Sequence, residues 1–360
     1  MKPFRQRVAD IRGFSLVELM VALTIGLIIL SAVSMLFVSS KKTYTTQDSL
    51  ARLQESARFA MQFLTKDLRL AGYYGCISDI APDSVYSSLN NSTAFAYNAQ
   101  ISVEGLNNAT GTWFPSASTA LPSGIASGTD AIAVRMADAS SSASLTTEMS
   151  NKTDVLNVSS VSDLSSGDII MVSDCSSTDI MHVTAIAGLQ ISHETGSGNP
   201  SNATQTLSKV YSPSTNTGGT RVMKFWTRRY FIATGASGNP ALFRQDNNAT
   251  AVELVDGIEN LQILYGEYTD SPPDSNRANW VPNVYRDAST VSDWSRVVSV
   301  RIGILARTLS DPATGKPKET DIDSNTYDID GDSTTDFTPP TGDRYKRRIF
   351  QSVVQLRNVL

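Results

Sequence analysis

The sequence predicts an α+β protein in which one long N-terminal helix packs on an antiparallel β-sheet head with a large β-rich insertion. Three observations favour this class. Residues 14–71 contain no proline and change from an apolar run to an amphipathic pattern. Residues 72–220 alternate short apolar segments with Ser-, Gly- and Asn-rich turns, and residues 221–360 contain longer β-branched segments. The 360 residues are ample for a sizeable core.

The first part of the predicted helix, residues 14–38, is predominantly apolar and carries a single charge, Glu18. At about 1.5 Å of rise per residue it would be roughly 37 Å long, enough to span a hydrocarbon core of about 30 Å. Four cations precede this span and two follow it: Lys2, Arg5, Arg7 and Arg12, then Lys41 and Lys42. This bias places the N-terminus in the cytoplasm and the bulk of the chain in the periplasm or outside the cell.

The second part of the helix, residues 39–71, is amphipathic. Its apolar residues recur at steps of three and four: Leu50, Leu53, Ala57, Ala60, Leu64 and Leu68. Charged residues lie between them, namely Arg52, Glu55, Lys66 and Asp67. The spacing predicts an apolar stripe that packs on the globular head, and Gly72 predicts the end of the helix.

Short strands are predicted in the middle segment at 131–136, 155–158, 168–172 and 181–186. In the C-terminal region, residues 222–233 and 241–244 predict a hairpin around 235–240, and residues 297–308 and 349–356 predict strong strands. Residues 252–265 are compatible with a short helix or a strand, and residues 310–343 predict a loop rich in Pro, Gly and Asp.

The start of the chain has an unusual order of features. An ordinary secretory signal is cut after its apolar region, whereas here a basic leader, residues 1–13, meets a Gly13–Phe14 junction before that region. The leader, the junction and Glu18 resemble the class III signal of type IV prepilins. The resemblance implies cleavage after Gly13 and N-methylation of Phe14. It also implies that the new α-amino group pairs with the Glu18 carboxylate, often between neighbouring subunits of a filament. The alternative is a signal anchor in which Glu18 is incidental and reaches towards the membrane interface.

Five further segments resemble PilW-type minor pilins of the type IV pilus. They are G-Y-Y-G-C at 72–76, G-D-I-I-M-V-S-D-C at 167–175, L-V-D-G-I-E-N-L-Q-I-L-Y-G-E at 254–267, V-V-S-V-R-I-G-I-L-A-R at 297–307 and R-R-I-F-Q-S-V-V-Q-L-R-N at 347–358. The resemblance implies a type IV pilin-like fold and a minor pilin that primes pilus assembly and joins the pilus tip, with roles in twitching motility, adhesion and DNA uptake. The implied partners are prepilin peptidase, the other minor pilins, the major pilin, a large tip adhesin and the inner membrane.

Two alternatives stay open at this point. The J-type minor pseudopilins of type II secretion share the helix and the terminal strands, but they are usually shorter. A membrane-anchored periplasmic protein that binds calcium or another ligand is an alternative of a different class, and it would keep its leader.

Cys76 and Cys175 are the only cysteines, and both follow the apolar span, on its oxidising side. An intramolecular disulfide between them is therefore expected. Two buried free thiols, or a bridge to a partner subunit, are the alternatives.

No cofactor is expected, but the sequence Asp328-Ile-Asp330-Gly-Asp332-Ser-Thr-Thr-Asp336 is a candidate structural calcium site, because alternating carboxylates on a loop can converge their oxygens. Asp321 and Asp323 could add ligands. The glycine falls at the fourth position rather than the sixth, and no glutamate closes the loop, so an acidic solvated turn is favoured over a calcium site.

No enzyme is predicted. His182 and His193 are the only histidines and sit in no recognisable catalytic array, no G-x-S-x-G segment occurs, and Gly315–Lys316 lacks the earlier glycine of a P-loop. A basic cluster lies near the C-terminus: Arg344, Lys346, Arg347, Arg348 and Arg357. It could contact DNA, but the net charge of −5 favours edge-strand charges that block unwanted pairing, and no specific nucleic acid is expected.

Overall fold

The computed structural model describes residues 15–75, 84–109, 111–118, 121–141, 143–196, 198–213, 219–274, 276–310, 314, 317, 319 and 321–358. Within them the chain forms one α-helix, α1 (Leu16–Arg69), and seventeen strands. The strands are β1 (Val85–Ser87), β2 (Val103–Leu106), β3 (Trp113–Phe114), β4 (Ala131–Ala137), β5 (Ala143–Ser144), β6 (Leu156–Asn157), β7 (Ile169–Ser173), β8 (Thr178–His182), β9 (Ala185–Ala187), β10 (Gln190–Ser192), β11 (Arg221–Thr234), β12 (Pro240–Asp246), β13 (Val252–Asp256), β14 (Ile258–Glu267), β15 (Val284–Arg286), β16 (Val297–Arg307) and β17 (Arg347–Gln355). Two compact units divide the chain, residues 1–51 and residues 52–360.

The first unit contains the apolar part of α1. Every large apolar side chain from Leu16 to Val38 is more than half exposed. The helix is long and apolar enough to cross a membrane. A helix surface that is apolar all round is stable where lipid or other helices cover it, so this half requires such a covering.

The predicted helix end is confirmed. The helix stops at Arg69, and Gly72 follows with a φ of +71°, a left-handed conformation that favours glycine. A β-carbon at Gly72 would lie 2.1 Å from the carbonyl oxygen of Asn358, and the Gly72 N–H donates to the carbonyl of Arg135. The glycine thus lets the chain turn against the sheet.

The second unit is built on three sheets. The largest has ten strands, with the path β1-β8-β7-β11-β4-β2-β3 and with β5, β12 and β13 joined to it. A four-stranded sheet has the order β15-β14-β16-β17, and a small sheet has the order β6-β10-β9. Pairing is antiparallel, as predicted, except between β1 and β8, which are parallel. Together with α1 these sheets make the fold α+β.

Strand β11 corrects the predicted division between an insertion at 72–220 and a sheet region at 221–360. Over its 14 residues it pairs with β5 and β7 and then with β4, all from the supposed insertion, as well as with β12. The short strands of the middle segment have few partners of their own, so the long strand that follows them completes their hydrogen bonds. Seven strands from the supposed insertion are therefore part of the same sheet as β11, namely β1, β2, β3, β4, β5, β7 and β8.

The other strand predictions are largely confirmed. The hairpin forms between β11 and β12, and residues 252–265 are extended, as β13 and β14, with Gly257 at a φ of +82° between them. The single strand predicted at 181–186 was wrong. This segment is divided between β8 and β9. The Val183 N–H donates to the carbonyl of Asp168, whereas the Thr184 N–H donates to the carbonyl of Ser192, which belongs to a different sheet.

The apolar stripe of α1 forms the centre of the main core. Leu53, Ala57, Ala60, Leu64 and Leu68 are buried, as predicted, while Leu50, the first residue of the predicted stripe, is half-buried. The five buried residues share one cluster with residues of both large sheets, among them Ile132, Ile232, Ile263, Ile302 and Val354. Burial of large aliphatic side chains contributes about 1.5–3 kcal/mol each, so this stripe is a major source of stability.

The helix pattern predicts that Asp67 lies among the charged residues between the apolar positions, but Asp67 is 2 % exposed. Both of its carboxylate oxygens accept from Arg228 Nη1, at 3.0 and 3.1 Å, and the Tyr230 hydroxyl also donates to it. Burial lowers the pKa of Arg228, but the carboxylates of Asp67 and Asp246 outweigh it and raise that pKa. The helix is thus docked on β11 by an ion pair as well as by the apolar stripe.

We expect Asp67→Ala to lower the free energy of unfolding by about 3 kcal/mol, because it leaves the buried Tyr230 hydroxyl without its acceptor and Arg228 with only the more distant Asp246 carboxylate. The exposed neighbour Lys66 provides the control, and Lys66→Ala should change stability by less than about 0.5 kcal/mol. Urea unfolding of the full chain in detergent measures both. Similar losses in the two variants would show that the ion pair does not dock the helix.

Candidate functional site

The start of α1 holds the predicted assembly residue. Glu18 is exposed, and its Oε2 accepts a hydrogen bond of 3.0 Å from the backbone N–H of Ser15. Ser15 precedes the first helical residue, so this is the reach-back bond of a capping box. The Ser-x-x-Glu spacing could have revealed it. Gly13 and Phe14 lie outside the described residues, so cleavage, methylation and the pairing with Glu18 stay predictions.

The acidic loop brings together three of its four predicted carboxylates. Oxygens of Asp328, Asp330 and Asp332 lie within 4.8 Å of one another. Asp336 instead accepts from the backbone N–H groups of Ile329, at 2.6 Å, and Asp330, at 3.4 Å. Sequence reasoning had placed all four around one ion.

The two additional candidates do not join the three carboxylates. Asp323 instead forms an ion pair with Arg347, and the Asp321 carboxylate lies 3.9 Å from Lys346 Nζ. The three clustered carboxylates themselves are partly engaged by the loop backbone. Asp328, for example, accepts from the N–H groups of Gly331 and Ser333, at 2.7 and 3.0 Å.

Burial and mutual repulsion raise the pKa values of several aspartates in and near the acidic loop. Burial, with the charge of Asp336 next, raises the pKa of Asp330 to about 6. Burial also raises the pKa of Asp336, and burial together with Asp332 raises that of Asp287 nearby. A bound divalent cation would offset this repulsion, while the backbone N–H groups already stabilise the same loop conformation. The donor set therefore fits calcium without requiring it.

The loop packs on the four-stranded sheet. Ile329 is fully buried, and its carbonyl oxygen accepts from Gln351 Nε2 at 2.9 Å. A β-carbon on Gly303 of β16 would lie 2.0 Å from that carbonyl, so only glycine allows the approach. Because Ile302 and Ile304 belong to the cluster with α1, Gly303 and the loop lie on the other face of the sheet.

Arg347 is not the exposed cation that the sequence predicts for a member of the basic cluster. Its side chain is completely buried at the start of β17 and donates to three carboxylates: Glu259, Asp323 at 2.9 Å and Asp343 at 2.8 Å. Burial raises the pKa of Asp323, but hydrogen bonds from Tyr327 and Arg347 outweigh it and hold that pKa below its usual range. Arg347 therefore fixes both ends of the acidic loop and is neither an edge charge nor a DNA contact. Its neighbour Arg348 is exposed.

The cysteines and histidines add no chemistry to this site. Cys175 lies between β7 and β8 at a φ of +70°, while Cys76 lies outside the described residues, so their bridge stays a prediction. Burial lowers the pKa of both His182 and His193. His193 Nε2 lies 2.9 Å from the carbonyl of Asp154, and within the described residues neither histidine belongs to the metal-ligand group above.

Two families match the chain. Residues 9–34 match the prokaryotic N-terminal methylation motif, and residues 229–358 match the family described as type IV pilus-assembly protein W. No curated protein matches. Among solved structures, the type IV-like pilin TTHA1219 from Thermus thermophilus is similar at 11% identity with a TM-score of 0.20, covering 54% of this chain and 85% of that chain.

The methylation motif together with the exposed apolar helix defines the class: a membrane-anchored protein of the prepilin type. Within that class, the match over residues 229–358 supports a PilW-type minor pilin. The resemblance of residues 254–267, 297–307 and 347–358 is thereby confirmed, because all three lie in the matched region. That region extends from β11 to the end of β17 and includes the acidic loop.

We expect Arg347→Met to lower the free energy of unfolding by about 3–5 kcal/mol, since it leaves three carboxylates without their buried partner. Arg348→Met should cost less than about 0.5 kcal/mol. The two variants are measured side by side by chemical denaturation.

The pH dependence gives a second readout of the same contact. Hydrogen bonding to Arg347 lowers the pKa of Asp323 and of Asp343, so their stabilisation is present above the unfolded pKa of about 4 and is lost on further acidification. That acid-induced loss should shrink in Arg347→Met and persist in Arg348→Met. An unchanged acid limb in both variants would contradict the role of Arg347.

Proposed function

We propose that this chain is a minor pilin that primes assembly of type IV pili and is incorporated at the pilus tip. The observation that supports this most is the presence, in one chain, of the methylation motif at 9–34, an uncovered apolar helix and the PilW match at 229–358. Pilus biogenesis, twitching motility, adhesion and DNA uptake are the processes it would serve. It would act by assembly and not as an enzyme.

The exposed apolar half of α1 supports a simple mechanism. In the inner membrane, lipid covers this surface, with the N-terminus in the cytoplasm and the head in the periplasm. After prepilin peptidase removes residues 1–13, helices of the other minor pilins and of the major pilin replace the lipid. Since both environments are apolar, the transfer exposes little apolar surface to water. The subunit then reaches the cell exterior at the tip, beside a large adhesin.

The alternatives make different predictions. A J-type pseudopilin of type II secretion would have secretion genes as neighbours, whereas the PilW match supports the pilus. A membrane-anchored ligand- or calcium-binding protein would keep its leader and never enter a filament.

Processing tests the proposal directly. The protein recovered from sheared pili should begin at Phe14, with the added mass of one methyl group. Gly13 replaced by a bulky residue should leave an uncut precursor in the membrane and none in pili. Pilus-associated protein with an intact leader would overturn the proposal, and absence of the wild-type chain from pili would favour the anchored alternative.

Glu18 can be tested for charge and capping separately. Glu18→Ala and Glu18→Gln should both be inserted and cleaved, because losing a charge eases burial in lipid. Both should enter pili about tenfold less than wild type if the carboxylate pairs with an α-amino cation, a free-energy difference of about 1.4 kcal/mol. Glutamine keeps the capping bond to Ser15. Normal incorporation of Glu18→Gln with loss only in Glu18→Ala would therefore assign Glu18 to capping instead.

Calcium and the disulfide stay as proposals. Calcium should raise the midpoint of thermal unfolding of wild type and not of Asp330→Asn, if the carboxylates of Asp328, Asp330 and Asp332 hold the ion.

The disulfide bridge is supported by Cys175 not being a free thiol. Closing a loop of about 100 residues between Cys76 and Cys175 would stabilise the chain by roughly 4–5 kcal/mol in the chain-entropy model. Non-reducing peptide mapping tests that pairing.

A further inference from the structure

Strand β17 is the edge of the four-stranded sheet, and its outer side has no neighbouring strand in the described part of the chain. It pairs with β16 over nine residues, from Arg347 opposite Arg307 to Gln355 opposite Ser299, with no irregularity in the register. The opposite edge strand, β15, has only three residues. The sheet therefore ends on one side in a long, regular strand.

The register determines which backbone groups face outward. The Leu356 N–H donates to the carbonyl of Val298, and the Thr308 N–H donates to that of Lys346. In an antiparallel ladder the bonded pairs alternate, so even-numbered residues of β17 bond to β16. The N–H and C=O groups of the odd-numbered residues from Ile349 to Gln355 consequently point away from β16. Among the described residues none forms a hydrogen bond with those groups.

The features that usually protect such an edge are missing here. Residues 349–355 contain no charge and no proline, and β17 has no bulge. Arg347, which could have guarded the edge, is directed into its three carboxylates. Val353, at the outward-bonding positions, is 55 % exposed. An unprotected strand of this length is a template for a further strand.

We propose that the outer side of residues 349–355 binds an extended strand of another pilin-type subunit in the pilus-tip assembly. This inference rests on the function proposed above. The incoming strand should carry uncharged residues with alternating apolar side chains opposite 349–355. Acidic residues should flank it, because the edge lies between the exposed cations Arg348 and Arg357.

The charges also disfavour a second copy of this chain as the occupant. Two β17 strands pairing antiparallel would bring the exposed Arg348 of one copy near the exposed Arg357 of the other, at both ends of the interface. Like charges across strands are destabilising, whereas acidic flanks on a different subunit would be attracted. The geometry thus favours a heterologous contact.

Val353 is the position at which to test the edge. Its N–H faces outward, so Val353→Pro removes a donor without breaking a bond to β16, and proline is tolerated at such edge positions. Val353→Lys adds a charge of the kind that blocks edge pairing. Val281→Lys is the matched control, because Val281 is 68 % exposed and lies outside β17.

Both Val353 variants should be cleaved normally and keep the thermal midpoint of wild type, but their amount in sheared pili should fall at least about tenfold. Val281→Lys should be recovered at the wild-type level. Wild-type recovery of the Val353 variants would overturn the edge contact and leave the minor-pilin proposal standing. The processing variants at Gly13 test that proposal independently.

Photocrosslinking in whole cells, with a benzoylphenylalanine at position 353, decides the occupant even if a substitution unfolds the head. The expected product is a cross-linked peptide from an extended segment of another pilin-type subunit, absent when the probe is at position 281. A product with a second copy of this chain, or no product at position 353, would overturn the inference.

Discussion

The contact of Asp67 with Arg228 and Tyr230 joins helix α1 to strand β11, the two elements on which the rest of the described head depends. Asp67 lies in the last turns of α1, and Arg228 and Tyr230 lie in the middle of β11, the strand with the most partners. An apolar stripe can slide along a sheet with modest change in buried area, whereas a buried carboxylate is stable only where its donors are. The ion pair therefore sets the position of the helix on the sheet, and the stripe supplies most of the binding energy.

The elements that the sequence predicts well are those with a strong local signal. The apolar run, the stripe from Leu53 to Leu68 and the stop at Gly72 all follow from composition and from a period of three to four residues. Long β-branched segments became β16 and β17. Apart from its hairpin partner β12, the partners of β11 could not be predicted, because strand pairing between distant segments leaves no periodic signal in either one. Asp67 was missed for a related reason: its donors lie about 160 positions away in the sequence.

Among the predicted site residues, too, local sequence patterns predicted some positions correctly, whereas positions that depend on the folded backbone were missed. Asp328, Asp330 and Asp332 are close in sequence and converge because a tight turn forces them together. Asp336 is only a few positions further, yet the turn directs it to backbone N–H groups instead. Arg347 and Arg348 look alike in sequence, but the period of two along a strand sends them to opposite faces. One is neutralised by carboxylates from β14 and the loop, and the other stays in solvent.

That difference between two adjacent arginines decides what the edge of β17 can do. If both were exposed, the strand would begin with a doubled charge and the edge would be guarded against pairing. Burying Arg347 under the acidic loop leaves a single exposed cation, Arg348, before an uncharged run of seven residues, 349–355. The loop thus has a structural effect beyond its own carboxylates. By holding Arg347, it removes a charge from the start of that edge. Because the same arginine also fixes Asp323 and Asp343, acidification that releases the loop would free a cation beside that edge.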